Sequence, residues 1–360
     1  VISAWQRCRS NPQRLPFCRI PGIPIVECIR GPLVPLLRRP ALNSLANGDR
    51  MSSSTVPITI PAARDDCRTL GPWAIERRIA CGTIAEIFAA RAVHEPRGGV
   101  PRYALKVLRE EWHEQPLIIN QFRREAELGR RIAHPHLISI LSGHCVARPY
   151  YLVMPFLPGQ TLEQILEQQS VLPLPRALGL CRQAAQALQA LHERHILHGD
   201  VKPANLLVAP NGHATLLDLG SARDAAETGS YASRPFLGTL AYTAPEAFVS
   251  AQALDQRSDL YSLGMVLYEA LTGRLPFAGA DLPDAAALIS AIVRGRPAPL
   301  RQLAPQVPAE VAELVHTLLR KQPERRLDSA ARLVERLVKY EIHALHAFVA
   351  AECSAHQSAS

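Results

Sequence analysis

His198-Gly199-Asp200-Val201-Lys202-Pro203-Ala204-Asn205 is the stretch on which the reading of this 360-residue chain turns. Asp218-Leu219-Gly220 begins thirteen residues after Asn205, and Ala244-Pro245-Glu246 stands further on. The chain differs on the two sides of this stretch. Upstream, Trp73–Ile79 and Ile84–Ala92 read as strands around the small-residue turn Cys81-Gly82-Thr83, with Tyr103–Leu108 and Tyr150–Met154 as two more. Leu117–Ile132 carries Ile118, Phe122, Leu128 and Ile132 at helical spacing and stops at His134-Pro135. From Thr161 onward helices dominate: Leu174–His195, Leu260–Thr272, Ala285–Arg294, Ala309–Arg320 and Ala330–His343. A strand-rich front and a helix-rich back predict an α+β fold of two unlike lobes.

In order and spacing, these motifs resemble those of the protein kinase family, in its bacterial-type (eukaryotic-like) Ser/Thr branch, over roughly residues 71–340. The resemblance implies a small lobe and hinge over 71–157, a larger helical lobe over 158–343, and ATP with Mg2+ or Mn2+ in the cleft. Asp200 would act as catalytic base toward the attacking hydroxyl, and Lys202 would reach the transferring phosphate. Asn205 and Asp218 would offer the hard oxygen ligands that Mg2+ prefers. Lys106 would hold the α/β-phosphates while paired with Glu125 on the following helix. A lone Lys in a strand is ordinarily a solvated edge charge. Here only four of 40 basic residues are Lys, yet Lys106 and Lys202 occupy both positions that want a compact ammonium.

The adenine site follows by the same resemblance. Met154 matches the gatekeeper, the Pro155 carbonyl and Leu157 N–H would bind the adenine edge, and Ile87, Ala104 and Leu207 would sandwich the ring. Ile79 and Gly82 complete the nucleotide-binding set, and Thr161 caps the first large-lobe helix. A protein substrate bearing Ser or Thr is expected because Thr239 and Glu246 match the loop that seats it. Asp259 matches the buried anchor of the catalytic loop, and Arg326 the partner of Glu246. Lys202 with Thr239 marks Ser/Thr over Tyr specificity. His-Gly-Asp also occurs in small-molecule phosphotransferases of the aminoglycoside kinase type; that activity and a pseudokinase binding module are the alternatives.

The chain departs from the family pattern at several positions. Of the usual three phosphate-loop glycines only Gly82 remains in Ala80-Cys81-Gly82-Thr83-Ile84-Ala85, which reads as weaker ATP binding. Cys81 reads as a small filler in that loop, ahead of a redox switch. Gly199 replaces the Arg that pairs with a phosphorylated activation loop, so alanine at Thr228, Ser230 and Ser233 is expected to leave activity intact. Gly129 stands where an apolar residue would stack on Leu219, with His198 and Ile140. This predicts a gap beside the Lys106–Glu125 pair and an activating partner at that helix that fills it.

Composition narrows the remaining classes. The formal charge of +8 invites a nucleic-acid or membrane partner, but residues 1–50 hold eight Arg against Glu27 and Asp49, a net +6. The expectation is therefore no nucleic acid, no membrane, and a cytoplasmic protein. Hydrophobic residues at 48% and charged residues at 20% exclude a disordered polyelectrolyte. None of the eight Cys forms a C-x-x-C pair, so reduced thiols are expected. Residues 1–70 read as a Pro- and Arg-rich extension, disordered or untranslated. The first Met is Met51, and Gly48-Asp49 can be encoded by a purine-rich ribosome-binding tract upstream of it. Residues 344–360 read as a tail, a helical remnant and a polar end.

Overall fold

The computed structural model describes residues 69–96, 98–225, 240–248, 254–277 and 284–358, and side chains as far as 346. Its first half is a six-stranded antiparallel sheet in the order β1-β2-β3-β4-β6-β5. The strands are β1 (Thr69–Leu70), β2 (Trp73–Cys81), β3 (Ala85–Ala92), β4 (Tyr103–Leu108), β5 (Ser142–His144) and β6 (Tyr151–Pro155). One helix, α1 (Pro116–Arg131), lies between β4 and β5. It opens on Pro116, whose missing N–H costs nothing in a first helical turn, and buries Ile118, Phe122, Glu125, Ala126, Leu128 and Gly129.

Alternation along the strands separates two small cores. Leu108, Tyr150 and Leu152 pack with Ile118, Phe122 and Ala126 of α1, while Leu105, Tyr151 and Val153 pack with Ala90. Lys106 shares its parity with Leu108 and so lies on the α1 side of the sheet. The spacing 122, 125, 126, 129 puts Glu125 on the same face of α1 as Phe122. A half-buried lysine and a buried glutamate are thus aimed at each other by the two structural periods, before any ion pair is considered.

The second half is helical. β7 (Gln160–Thr161) leads into α2 (Leu162–Gln169), which begins with a capping box: the Thr161 hydroxyl accepts from Gln164 N, and Gln164 Oε1 accepts from Thr161 N. α3 (Leu174–His192) is buried nearly all round. The short strands β8 (Ile196–Leu197), β9 (Leu206–Val208), β10 (Ala214–Leu216) and β11 (Arg223–Asp224) follow, with β9 pairing both β10 and β7, and β11 pairing β8. Then come α4 (Gln256–Thr272), α5 (Ala285–Arg294), α6 (Leu300–Leu303), α7 (Ala309–Leu318) and α8 (Ala330–Ser358). One large core, built on α3, α4 and α7, holds this half together.

The expected elements are present, with different ends. α3 stops at His192, because the chain turns at His195, which takes a positive φ of 58°. α4 starts four residues before Leu260, where the Asp255 carboxylate caps Arg257 N at 2.8 Å. α8 continues beyond His343 to Ser358, so residues 344–358 are helix. Tyr340 and Ala344 pack on the large core, and Glu341 accepts from Arg182 of α3 at 2.6 Å. Among the described residues no helix is long and apolar enough to cross a membrane.

Candidate active site

Lys106 donates to both oxygens of Glu125, each at 2.8 Å, and to Asp218 Oδ1 at 2.9 Å. Glu125 is buried, whereas 41% of the Asp218 side chain stays exposed. Two carboxylates therefore share one ammonium, and their environments separate them. Burial pushes Glu125 up to about 7, against the pull of Lys106. Burial would raise Asp218 as well, but Lys106 and the N–H of Gly220 outweigh it and hold that carboxyl down at about 2. Burial disfavours the Lys106 ammonium, yet Asp218 and Glu125 prevail and raise its pKa.

The second cluster hangs on the β9–β10 hairpin. Asn205 immediately precedes β9, Asp218 follows β10 by two residues, and Leu217 N donates to Asn205 O at 2.8 Å, so the hairpin brings them side by side. Asp218 takes a left-handed φ of 61°, an uncommon conformation for a residue with a side chain. Asp200 Oδ2 accepts from Lys202 Nζ at 2.8 Å and from Asn205 Nδ2 at 2.9 Å; the same amide also donates to Asp200 O at 2.8 Å. Committing its NH2 to Asp200 leaves the Asn205 amide oxygen as that side chain's open donor atom.

The loop carrying Asp200 is fixed from beneath by one buried carboxylate. Asp259 of α4 accepts from His198 N at 2.8 Å, Gly199 N at 2.9 Å and His192 Nε2 at 2.8 Å. Burial works to raise Asp259, but His192 and then the Gly199 N–H hold it below the usual carboxylate range. His198 donates through Nε2 to Leu217 O at 3.0 Å and accepts at Nδ1 from Asp200 N at 3.2 Å, which fixes its tautomer. Gly199 sits at φ 77°, a conformation that favours glycine.

The family model described as "Protein kinase domain" matches residues 73–338. The chain belongs to the protein kinase domain family. It is 34% identical over 264 residues to the serine/threonine-protein kinase PknB of Mycolicibacterium smegmatis, covering 72% of this chain and 41% of that protein. It is 34% identical over 266 residues to the serine/threonine-protein kinase PknA of Mycobacterium tuberculosis, covering 72% of this chain and 59% of the relative. For PknB of Mycobacterium tuberculosis the identity is 33% over 288 residues, covering 78% and 44%. The matched stretch thus spans about half the length of these relatives.

In the kinase domain, the other expected residues fall as follows. Met154 and Pro155 end β6, with Met154 opposite Ala104 on β4. Ile87 pairs with Lys106 and Leu207 lies on β9, while Leu157 follows the hinge. Ile79 and Gly82 are exposed on β2 and the turn after it. Glu246 and Arg326 form a buried two-pronged pair, both bonds 2.7 Å, reinforced by Ser258 Oγ on Glu246 Oε1 and by Tyr261 beneath the guanidinium. Tyr242 donates to Glu269 Oε2 at 2.5 Å. Thr239, Thr228, Ser230 and Ser233 lie outside the described residues, as does nearly all of the extension over 1–70.

One expectation is corrected. No gap surrounds Gly129: a β-carbon built there would meet Ile140 Cγ1 at 2.3 Å, and Ile140 N donates to Gly129 O at 2.9 Å. Ile140 fills the space from the loop after α1, and the Lys106–Glu125 pair is closed without further help. The argument for a gap-filling partner at this helix falls with it. Sequence reasoning also passed over His192, which is buried against Asp259. Its one signal was its spacing, four residues after Leu188 on the apolar face of α3.

Proposed function

We propose that the chain is an ATP-dependent serine/threonine protein kinase, with Asp200 as the catalytic base. The observation that carries this reading is the joint geometry of the two clusters: an ammonium bridged between Glu125 and Asp218, and a carboxylate oriented by Lys202 and Asn205, joined by the Leu217 N–H to Asn205 O bond. Asp200 Oδ2 is occupied by those two partners, so Oδ1 faces the substrate hydroxyl and accepts its proton. The hydroxyl oxygen bonds to the γ-phosphorus as the bond to the ADP oxygen breaks. Lys202 reaches from Asp200 to the transferring group, and Lys106 holds the α/β-phosphates.

The residues present fit a divalent cation. Asp218 keeps Oδ2 apart from its Lys106 and Gly220 bonds, which both fall on Oδ1, and Asn205 keeps its amide oxygen. Both are hard oxygen donors, the chemistry Mg2+ or Mn2+ selects. A cation held there supplies neutralisation of the phosphate charge. The buried Glu246–Arg326 pair, with Tyr242 tied to Glu269, supports a shaped surface for a protein substrate over a small-molecule site.

The test is transfer from γ-labelled ATP to a generic basic protein and to the chain itself. Wild type should label protein, and Asp200→Asn should lower the rate by about 10²–10⁴-fold. Nucleotide binding without turnover in wild type would replace this reading with a pseudokinase. Labelling of an aminoglycoside but no protein would replace it with a small-molecule phosphotransferase.

A further inference from the structure

The turn over the cleft, Cys81–Ile84, lies between Ala80 and Ala85, which stand where two of the three usual glycines would be, and Cys81, Gly82 and Thr83 are exposed. It is closed by the Gly82 N–H to Ala85 O bond at 2.9 Å, and its carbonyls tie it to the next segment of the chain. Gly82 O accepts from Arg109 Nη1 at 3.2 Å, Thr83 O from Trp112 Nε1 at 2.9 Å, and Ile84 O from Arg109 N at 2.9 Å. Three consecutive carbonyls are thus held by one four-residue segment just past β4, which includes the short helical turn Glu110–Trp112. Arg109 is itself braced by Glu111 at 3.3 Å and also approaches Cys81 Sγ at 3.8 Å. Trp112 packs on the core that contains Ala85, Phe122 and Ala126, so the support is tied to both the loop base and α1.

A planar trans peptide points its N–H opposite to its C=O. Fixing the carbonyls of Gly82 and Thr83 toward Arg109 and Trp112 therefore fixes the N–H groups of Thr83 and Ile84 the other way. Those two N–H groups have no acceptor among the described residues. A row of oriented, unpartnered backbone N–H groups is what an anionic phosphate chain binds.

We propose that Arg109 and Trp112 are positioning residues that strap the phosphate loop from behind, setting its N–H groups toward the ATP phosphates in place of the missing glycines. The proposal rests on the kinase reading above and adds residues to it. Trp112→Phe keeps the ring packing and removes only the Nε1–H donor; Arg109→Ala lies on the surface, where the change leaves folding intact.

The experiment measures, on the full chain, KM for ATP, kcat, and the affinities for ATP and for adenosine, which lacks the phosphates. Each variant should raise KM for ATP about five-fold, the scale of one lost hydrogen bond, with kcat nearly unchanged and adenosine binding as in wild type. Unchanged ATP affinity in both variants, or an equal loss for adenosine and ATP, overturns the strap while leaving the kinase reading intact. Absence of ATP binding by the unmodified chain overturns both.

Discussion

The lower and upper halves of the cleft are held in different ways. Below, the Asp200 loop hangs by backbone N–H groups from one buried carboxylate, Asp259, which lies in the largest core of the molecule. Above, Lys106 and Glu125 meet through side chains in a three-charge cluster, and the turn at Cys81, Gly82 and Thr83 is exposed. The lower half is part of the fold, and losing its anchor means losing stability. The upper half is an electrostatic arrangement laid over a small sheet, so it responds to pH and to single contacts.

The sharpest way to break this contrast is Asp259→Ala. It strands two backbone donors and His192 in a buried site, and it should cost about 3–5 kcal/mol of stability together with nearly all activity. Denaturant unfolding and the transfer assay read the two effects; a stable, inactive variant would show the anchor to be separable from the fold. Next is Gly129→Leu, which forces a side chain onto Ile140. Overpacking of this kind should cost about 1–3 kcal/mol and lower the rate, and a more active variant would restore the gap reading.

The pH response should separate the halves further. Glu125 has its carboxyl raised to about 7 in the folded chain, from an ordinary value of 4.5. Between those pH values the folded state keeps a proton that the unfolded chain gives up. Its contribution to stability is therefore full at low pH and declines as pH rises to about 7. Wild type should lose stability across that window relative to Glu125→Gln, read as urea midpoints at pH 5 and pH 8; parallel midpoints would contradict it. Asp218, held at about 2, contributes in the opposite sense and only in strong acid, where stability falls as pH drops below its ordinary 3.8. The smallest effect belongs to Thr228, Ser230 and Ser233. With Gly199 in place of an arginine, alanine at all three should leave the rate within about two-fold, and a drop beyond ten-fold would refute this.

The pattern of residues disclosed most of the lower half. Asp200, Lys202, Asn205 and Asp218 each need one functional group at a fixed distance along the chain, and Gly and Pro punctuate the spacing. The Glu246–Arg326 pair, 80 residues apart, was legible only through the resemblance to the protein kinase family. In the upper half the strands and the charges were legible, but the packing around them was not. Whether Gly129 leaves a hole depends on where Ile140 comes to lie after the chain reverses, and no local period encodes that. The strap was equally hidden, since an arginine and a tryptophan after a strand look like any surface pair until their donors are traced to Gly82 and Thr83. The contact that ties α8 to α3, Arg182 to Glu341, was hidden as well, because its partners are 159 residues apart.

The Glu246–Arg326 pair also has a consequence in time. A chain made from its N-terminus at about 5–20 residues per second exposes Glu246 roughly 4–16 s before Arg326 has been synthesised. During that interval the segment around Pro245 lacks the cation that neutralises its buried carboxylate, while the ammonium of Lys106 and the carboxylate of Asp218 are already present. The nascent chain therefore holds both partners of the Lys106–Asp218 contact before Glu246 can meet its own, which follows α7.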